Sequence, residues 1–256
     1  IFEAKNYWGI PELREDMLIT ELPPNLKTWA GSATRDEEHD GYWLYNWGID
    51  STSGMDDLSK IMVSFYCWDE YFQNWYTHAS NYMAKIIKNG IQYGISPNYS
   101  QDFSGLRALS MMELYKSRYV ARYMQEVGVK VMPDLETADL NVGDRWLDIS
   151  MSCLPKELPW ASMQVQNLWG RTRGGEIAKE EQIQKRKEFI SGAKKIFSFL
   201  NVENVLIYSN PNQHNEVKGW FNDNNIDVKV TCIETRLSKL SKKVKSHETE
   251  ADRIGK

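Results

Sequence analysis

The stretch Gly94–Asp134, GISPNYSQDFSGLRALSMMELYKSRYVARYMQEVGVKVMPD, joins a short apolar run, a polar loop, a long segment of helical periodicity and a second apolar run. The two apolar runs end alike, in Ser96-Pro97-Asn98 and in Met132-Pro133-Asp134. A strand, a helix and a strand in this order form the unit of a parallel sheet, because the right-handed crossover returns the chain to the same edge. The stretch therefore predicts an α/β fold in which both runs deliver a polar side chain to one rim.

Apolar runs of strand length and segments of helical periodicity continue to alternate on both sides of this stretch. The predicted strands are Ile61–Cys67, Gln92–Ser96, Val129–Met132, Trp146–Ser152, Val202–Tyr208 and Asp227–Ile233. The predicted helices are Tyr71–Lys88, Leu106–Val127, Glu176–Leu200 and Glu216–Asn222. We expect a mainly parallel central sheet of about five or six strands with flanking helices, and both an open doubly wound sheet and an incomplete barrel fit this pattern.

The remaining segments suggest one core domain with two appendages. Residues 1–59 are rich in proline and glycine and are predicted to be a loop-rich lead-in packed on the core, which spans 60–235. The aromatic run Gly41–Trp47 inside the lead-in is strand-like. Leu154–Gly175 lacks clear periodicity and is expected to be a functional or mobile loop. Residues 236–256 are polar and lysine-rich and are predicted to be a tail that is frayed or disordered unless a partner orders it.

Composition excludes several classes of protein. The net charge is -4, so the chain is not a bulk polyanion binder, and any nucleic-acid contact would use a local patch. Three scattered cysteines without a CxxC pair indicate buried, reduced thiols in an intracellular protein. There is no apolar run long enough for a membrane span, and the first residues lack the basic region and cleavage site of a signal peptide.

The rim predicted for the parallel strands collects acidic residues. Asp69, Asp134 and Glu234 each follow a predicted strand, and Glu136 is a fourth acid nearby. Carboxylates from separate strand ends can jointly hold Mg²⁺ or Mn²⁺, which prefer oxygen ligands, and such clusters catalyse phosphoryl transfer. Asp69, Asp134 and Glu234 are therefore the candidate catalytic and metal-binding residues. The alternative is that these carboxylates only cap helices and turns.

Three further residues are candidates for binding a substrate. Asn98 ends a strand at the same rim, while Arg171 and Arg173 precede Gly174-Gly175 and a predicted helix. A helix N-terminus with nearby arginines can hold a phosphate, although an ordinary turn before a helix has the same composition.

The familiar catalytic motifs are missing from the sequence. It contains neither a G-x-x-x-x-G-K-[ST] loop nor a G-x-G-x-x-G fingerprint, and no histidines pair at metal-binding spacing. Tyr115, Tyr119 and Tyr123 recur every four residues beside Arg118 and Arg122. A tyrosine nucleophile is one interpretation of this ladder, but packing of one helix face against the core is favoured.

Several of these segments together resemble a known family. The residues that carry the resemblance are Tyr7–Pro11, Phe65-Tyr66, Asp69, Phe72, Trp75, Tyr82, Gly94–Ser100, Leu114-Tyr115, Arg118-Tyr119, Val131–Asp134 and Asn204–Tyr208. This pattern is similar to domain-of-unknown-function family 4417, which is found mainly in bacteriophages, plasmids and other mobile elements. The family usually carries an aspartate after its serine-proline pair, where this chain has Asn98. The resemblance implies a mobile-element source and an α/β fold rather than a particular reaction.

These observations lead to competing expectations about function. The first is a phage or mobile-element protein of the host cytoplasm that takes part in nucleic-acid processing, in replication or packaging. Its partners would be DNA or RNA, and an enzyme of this kind would use metal-dependent phosphoryl transfer with Mg or Mn. The basic pieces Arg171–Arg173 and Lys239–Lys245 favour this interpretation.

The alternative is a non-catalytic interaction protein or a virion-associated structural protein, with phage or host proteins as partners and no membrane contact. The ten tryptophans and thirteen tyrosines favour it, because these residues are enriched at interfaces. A third interpretation is a sugar or small-ligand enzyme that uses paired carboxylates. The distance between the two carboxylates defines such a mechanism, and the sequence alone does not give that distance.

Overall fold

The computed structural model describes residues 2, 4–35, 37–101, 106–137, 144–169, 171–172, 175–176 and 179–242. The strands are β1 Lys27–Thr28, β2 Trp43–Asn46, β3 Ile61–Ser64, β4 Tyr93–Ile95, β5 Lys130–Met132, β6 Leu158–Gln164, β7 Arg171–Thr172, β8 Gly175–Glu176, β9 Val202–Ser209 and β10 Lys229–Glu234. The helices are α1 Asn74–Thr77, α2 Ala79–Lys88, α3 Arg107–Glu126, α4 Asp144–Ser152, α5 Lys179–Leu200 and α6 His214–Asp223. None of the described helices is long and apolar enough to cross a membrane.

The strands form two parallel sheets, which confirms the predicted α/β class. The first sheet has the order β1-β2-β3-β4-β5, and the second has the order β10-β9-β6. Every pairing within these two sheets is parallel, whereas β7 and β8 form a separate antiparallel pair. The parallel strands outnumber the predicted five or six because two lie in the lead-in and one lies in the segment predicted to be irregular.

The two sheets meet edge to edge at two places. Between β5 and β6, the backbone N–H of Ser162 donates to Pro133 O at 2.8 Å, and Leu135 N–H donates to Ser162 O at 2.8 Å. We call this junction the β5–β6 seam. Between β1 and β10, the hydroxyl of Thr28 donates to the backbone oxygen of Glu234, and we call this junction the β1–β10 seam. Among the described residues the strand ladders do not close, so the arrangement is an incomplete barrel.

Side chains that alternate along the strands separate an inner core from an outer one. Leu44, Met62 and Met132 belong to the inner cluster, whereas their neighbours Tyr45 and Val63 belong to the outer cluster beneath the helices. The inner cluster takes residues from both sheets: Ile19, Leu44, Met62, Tyr66, Ile95, Met132, Trp160, Leu206, Tyr208 and Ile233. Because residues two apart on a strand face the same side, both sheets turn one face toward a common interior.

The lead-in is bound to strand β5 and helix α3 of the core. Leu18 forms a parallel bridge with Val131, and the N–H of Ile19 donates to Val131 O at 3.2 Å. The side-chain amide of Gln125 on α3 accepts a hydrogen bond from Arg14 N and donates to Arg14 O. The strand-like run of the lead-in forms β2, as predicted, and both β1 and β2 are integral to the first sheet.

The prediction of a strand at Trp146–Ser152 is wrong, because these residues lie in helix α4. Trp146, Leu147, Ile149 and Met151 are all buried, whereas Asp148 between them is exposed. Apolar residues at 147, 149 and 151 also satisfy the alternation of a strand. A short apolar run fits both periods, so the period alone could not decide.

The segment Leu154–Gly175 is not irregular throughout, because it contains the seven-residue strand β6. Its sequence, LPWASMQ, lacks the β-branched residues that usually mark strands. Pro159 also suggested a loop, yet β6 is an edge strand of the second sheet, where proline is tolerated.

Two further boundaries differ from the predictions. The helix predicted over Tyr71–Lys88 is interrupted at His78, which separates α1 from α2. The tail predicted to be frayed from residue 236 is helical over residues 236–242, where Arg236 Nε pairs with Asp50 Oδ1 at 2.6 Å. The rest of the tail, residues 243–256, lies outside the described residues.

Candidate functional site

The C-terminal ends of β3, β4 and β5 place polar groups at one edge of the incomplete barrel. Tyr66 follows β3, Ser96 and Asn98 follow β4, and Asp134 and Glu136 follow β5. Ligands of parallel sheets bind at this edge, because every strand delivers its C-terminal end there. We call the group around Asp134 and Glu136 the carboxylate pocket.

The carboxylate of Asp134 is buried and is held by hydrogen bonds from two side chains. It is 6% exposed, and its Oδ1 accepts hydrogen bonds from Tyr66 OH at 2.9 Å and from Ser162 Oγ at 2.8 Å. Its backbone N–H donates to Ser96 Oγ at 2.8 Å. Because Ser162 belongs to β6, Asp134 stands at the β5–β6 seam and is held by groups from both sheets.

Burial shifts the proton equilibria of both carboxyl groups in this pocket. It raises the pKa of Asp134 to about 7, although the hydrogen bonds from Ser162 and Tyr66 oppose that rise. It raises the pKa of Glu136 to about 8, and the charges of Asp134 and Asp69 raise it further. The guanidinium of Arg118 lowers both pKa values. At neutral pH the pocket therefore contains carboxyl groups that can either hold or release a proton.

Arg118 brings a buried positive charge to the pocket from helix α3. The residue is 3% exposed, and its guanidinium lies 3.4 Å from Ser96 Oγ and 3.4 Å from Cys153 Sγ. A buried cation needs compensating charge or hydrogen bonds, and Asp134 and Glu136 supply the charge. Arg118 therefore offsets the negative charge of the pocket, although no carboxylate among the described residues lies at ion-pair distance from it.

A small cavity lies among these groups. Its volume is about 20 Å³, and its polar lining comes from Asn98, Gln101, Ser117, Arg118, Asp134, Glu136 and Ser150. This is room for about one water molecule. The side-chain oxygen of Gln101 is buried and has no hydrogen-bond partner among the described residues. The cavity therefore offers an unused acceptor to a donor such as water, a hydroxyl or an amine.

This arrangement is suited to moving a proton. General acid–base catalysis is most efficient when the pKa of the catalytic group lies near the working pH, and burial is the usual means of raising a carboxyl pKa that far. Strongly shifted groups that line a cavity are candidates for a functional site. The pocket can accept a proton from a bound molecule at one carboxylate and supply one from the other carboxyl.

The structure brings three of the predicted site residues into this neighbourhood. Asn98 and Asp134 both line the cavity. The carboxylate of Asp69 accepts hydrogen bonds from Ser100 N at 2.8 Å and from Ser100 Oγ at 3.2 Å. Asp69 therefore fixes the loop that follows β4, and its charge raises the pKa of Glu136.

The other predicted site residues are elsewhere or not described. Glu234 ends β10, and its Oε1 pairs with Lys242 Nζ at 2.8 Å. Arg171 lies in β7, and its side chain is outside the described part of the structure. Arg173 lies outside the described residues altogether.

The three predicted metal ligands are not gathered at one place in the described part of the structure. Over the described residues there is no group of three or more His, Cys, Asp or Glu side chains that could hold a metal ion. Asp69 is engaged by Ser100, and Glu234 belongs to a separate ion pair. Mg²⁺ or Mn²⁺ ligation by Asp69, Asp134 and Glu234 therefore stays a prediction, and no step below is assigned to a metal.

Comparison with known proteins places this site within a recognised domain. Residues 41–154 match the family model described as "Domain of unknown function (DUF4417)". This part of the chain is similar to the DUF4417 family. This agrees with the resemblance drawn from the sequence. No curated protein and no solved structure matches the chain significantly.

The DUF4417 match includes most of the carboxylate pocket. It starts two residues before β2 and ends two residues after α4, so it contains Asp69, Asn98, Arg118, Asp134 and Glu136. Ser162, which completes the hydrogen bonding of Asp134, lies beyond the match. The matched domain thus forms its pocket against a strand contributed by the rest of the chain.

Sequence reasoning did not select Arg118, Tyr66 or Ser162 as residues of the pocket. Arg118 was interpreted only as a neighbour of the tyrosine ladder of α3, although it lies four residues after Leu114 and three before Ala121, both of which are buried. Tyr66 follows Met62 at even spacing, which puts both on the inner face. Ser162 lay in the segment predicted to be irregular and carried no usable signal.

The tyrosines of α3 pack against one another and against Tyr76, which is the interpretation that the sequence favoured. Tyr115 and Tyr119 stack with ring centroids 6.1 Å apart, and Tyr76 contacts both rings edge-on. Burial raises the pKa of Tyr115 and of Tyr119, which is opposite to what activates a tyrosine nucleophile. These tyrosines anchor α3 to the preceding helices.

Proposed function

We propose that the protein takes part in nucleic-acid processing in a bacteriophage or another mobile element, as an enzyme whose acid–base groups are Asp134 and Glu136. The observation that carries the proposal is the pair of carboxyl groups at the C-terminal edge of the parallel strands with pKa values raised to about 7 and about 8. The family resemblance supports the mobile-element source.

The proposed chemistry is hydrolysis of an ester or glycosidic bond of the nucleic acid. One carboxylate removes a proton from the attacking water, and the other carboxyl donates a proton to the leaving oxygen or nitrogen. Arg118 limits the accumulation of negative charge when both carboxyl groups are ionised. The side-chain oxygen of Gln101 is available to orient the water by accepting its second proton in a hydrogen bond.

The direct test is turnover of labelled single-stranded DNA, double-stranded DNA and RNA, each with EDTA, with Mg²⁺ and with Mn²⁺. The variants are Asp134→Asn and Glu136→Gln, which keep the shape of each side chain. We expect either change to reduce the rate by about 100-fold or more, the usual contribution of a general acid or base. Asp148→Asn is the matched control, because Asp148 is exposed on α4 and pairs only with Lys195 among the contacts described.

Binding measurements separate the recognition of nucleic acid from its cleavage. The affinity for the preferred form should fall steeply with added salt, as it does wherever phosphates are contacted. Lys239 pairs with Glu37, and Lys242 pairs with Glu234. We therefore expect these two lysines to contribute little to the salt dependence of the affinity. Absence of binding at low salt, for all three nucleic-acid forms, together with absence of turnover, would contradict the proposal.

A second candidate function, a non-catalytic interaction or virion-associated protein, is favoured by one surface feature. Leu106, Leu109 and Met112 are 72%, 59% and 47% exposed, and they recur every three residues at the start of α3. Apolar side chains at this spacing share one helix face, which is how helices present anchors to a partner. If this function holds, Leu109→Lys abolishes a stoichiometric complex with a phage or host protein, whereas Asp134→Asn leaves that complex intact.

A further inference from the structure

A second, larger cavity opens at the C-terminal ends of β9 and β10, away from the carboxylate pocket. Its volume is about 500 Å³, within the range of small-molecule sites. It is lined by the turn that follows β9 and by the helical residues that follow β10. We call it the β9–β10 cavity. Because no residue lines both cavities, its properties are independent of the proposed acid–base function.

Two side-chain amides of this cavity accept hydrogen bonds through their oxygens, while their NH₂ groups have no hydrogen-bond partner among the described residues. Asn210 Oδ1 accepts a hydrogen bond from Asn212 N at 3.1 Å, and Gln213 Oε1 accepts one from Asn210 N at 3.3 Å. This reciprocal arrangement is a capping box, which fixes both amides by their oxygens. The nitrogen atoms Asn210 Nδ2 and Gln213 Nε2 have no hydrogen-bond partner among the described residues. Both residues line the cavity, so they bring four N–H donors to it.

The rest of the lining is polar, and most of its donors already have partners. The hydroxyl groups of Thr235 and Ser238 hydrogen-bond to each other at 2.9 Å, so one of the two protons is left for a ligand. Ser241 Oγ donates to Leu237 O at 2.9 Å, and Lys242 Nζ lies 2.8 Å from Glu234 Oε1. Within the described part of the chain no carboxylate lines the cavity. The nearest acid named in its contacts is Glu234, which pairs with Lys242, so these two charges offset each other and the free amide donors of Asn210 and Gln213 carry the site.

We propose that the β9–β10 cavity binds the phosphate group of a small ligand. A phosphate offers mainly acceptor oxygens and carries negative charge, so it suits a site whose free donors are the amides of Asn210 and Gln213 and one hydroxyl of the Thr235–Ser238 pair, without a competing carboxylate among the described lining residues. The position agrees with the chemistry, since ligands of parallel sheets bind outside the C-terminal ends of the strands. Inorganic phosphate and a phosphate ester present the same group, and the experiment distinguishes them.

The test is isothermal titration of the full chain with inorganic phosphate and, separately, with a 5′-mononucleotide, in a phosphate-free buffer. The decisive variants are Asn210→Asp and Gln213→Glu. Each keeps the oxygen that accepts the backbone N–H, so the capping box is retained, but each replaces two donors by an acceptor. We expect each variant to bind at least about ten-fold more weakly than the wild type, which corresponds to about 1.4 kcal/mol.

A matched control separates this effect from a general change in charge. Asn201→Asp also adds one negative charge, but Asn201 precedes the N-terminal end of β9, at the opposite end of that strand. This control should bind phosphate like the wild type. Binding of either ligand that the two cavity variants lose and the control keeps supports the proposal, and the stronger ligand identifies the source of the phosphate. If neither ligand binds at millimolar concentration, or if the cavity variants bind like the wild type, the proposal is overturned.

Discussion

At the scale of single residues, Asp134 shows how local contacts can oppose burial without reversing it. Two hydroxyl donors, Tyr66 and Ser162, stabilise its ionised form, yet burial still raises its pKa to about 7. Both donors contact the same oxygen, Oδ1. These hydrogen bonds fix the orientation of the ionised carboxylate but do not offset the whole cost of burying its charge. The pKa of Asp134 therefore stays close to neutral pH.

The first prediction concerns stability and pH. The unfolded chain releases the Asp134 proton near pH 4, whereas the folded protein holds it until about pH 7, so the free energy of unfolding falls as pH rises through this window. Asp134→Asn removes this titration, and its amide oxygen still accepts from Tyr66 and Ser162. We expect the variant to have a flatter pH dependence and a higher stability at pH 8, by a few kcal/mol at most, since one pKa unit is about 1.4 kcal/mol.

The measurement is the urea midpoint of both proteins at a series of pH values between 5 and 8.5, a range set by the shift. Asp148→Asn should follow the wild-type curve, because its side chain is exposed on α4. Parallel curves for wild type and Asp134→Asn would show that Asp134 is ionised in the folded protein throughout the range.

Only part of this residue-scale picture could be predicted from the sequence. The strand-end rule located Asp134 and Asn98, because a polar residue after a buried strand is visible in the sequence. The rule could not say that Glu234 lies with Lys242 rather than with Asp134, since which strand ends are neighbours depends on the order of strands in the sheets. Arg118 was missed because the tyrosines of α3 suggested a different buried face.

At the scale of elements, the strand–helix–strand unit over Gly94–Asp134 was predicted to within a few residues. Here hydrophobic spacing, the terminating Gly128 and the proline after each strand all indicate the same elements. Strand β6 and helix α4 were not predicted, because β6 lacks β-branched residues and the apolar spacing of α4 fits both periods. The prediction of an element thus succeeded where several local signals agreed, and it failed where only one signal was present.

The second prediction compares two glycines that have similar backbone conformations but different surroundings. Gly48 has a φ of 90°, and a methyl group there would lie 2.6 Å from Tyr71 Cβ and 2.8 Å from Tyr71 O. Gly128 has a φ of 94°, but a methyl group there would meet nothing within 4 Å. Gly128→Ala should therefore cost only the left-handed backbone conformation, about 1–2 kcal/mol.

Gly48→Ala adds a steric clash with the turn that precedes α1, so it should destabilise the protein by about 1–3 kcal/mol more than Gly128→Ala. Chemical unfolding of the two variants under the same conditions measures this difference. Equal losses of stability would mean that the turn at Tyr71 moves freely and does not hold the end of β2.

At the scale of the whole molecule, the incomplete barrel depends on contacts that cross from one sheet to the other. The rings of Tyr66 and Tyr208 stack at 4.5 Å across the interior. Tyr208 OH in turn accepts hydrogen bonds from Asn46 Nδ2 and from Arg236 N. The segment after β10 is therefore part of the closure rather than an appendage, which composition alone did not reveal.

The third prediction tests this closure through the pair of Arg236 and Asp50. Asp50 has a fully buried side chain, burial raises its pKa, and Arg236 opposes that rise. Arg236→Gln leaves a buried carboxylate without its cation and should destabilise the protein by about 3 kcal/mol. Because the pKa of Asp50 then rises further, the loss should be larger at pH 8 than at pH 5.

A double-mutant cycle with Asp50→Asn provides the control. The double variant should recover most of the stability, since neither partner is then charged. Additive losses would show that Arg236 and Asp50 do not interact in solution and that residues 236–242 do not contribute to closure.

The two seams also divide the incomplete barrel into a sheet that is synthesised first and a sheet that is synthesised later. The first sheet is complete once the ribosome has passed Met132, whereas the second is complete only after Glu234. At typical elongation rates the intervening stretch takes roughly 5–20 s to make. During that interval the inner side chains of Leu44, Met62 and Ile95 have no second sheet to cover them. Transiently exposed apolar surface makes partly synthesised chains prone to aggregation, so we expect this face of the first sheet to be the part of the nascent chain that needs protection.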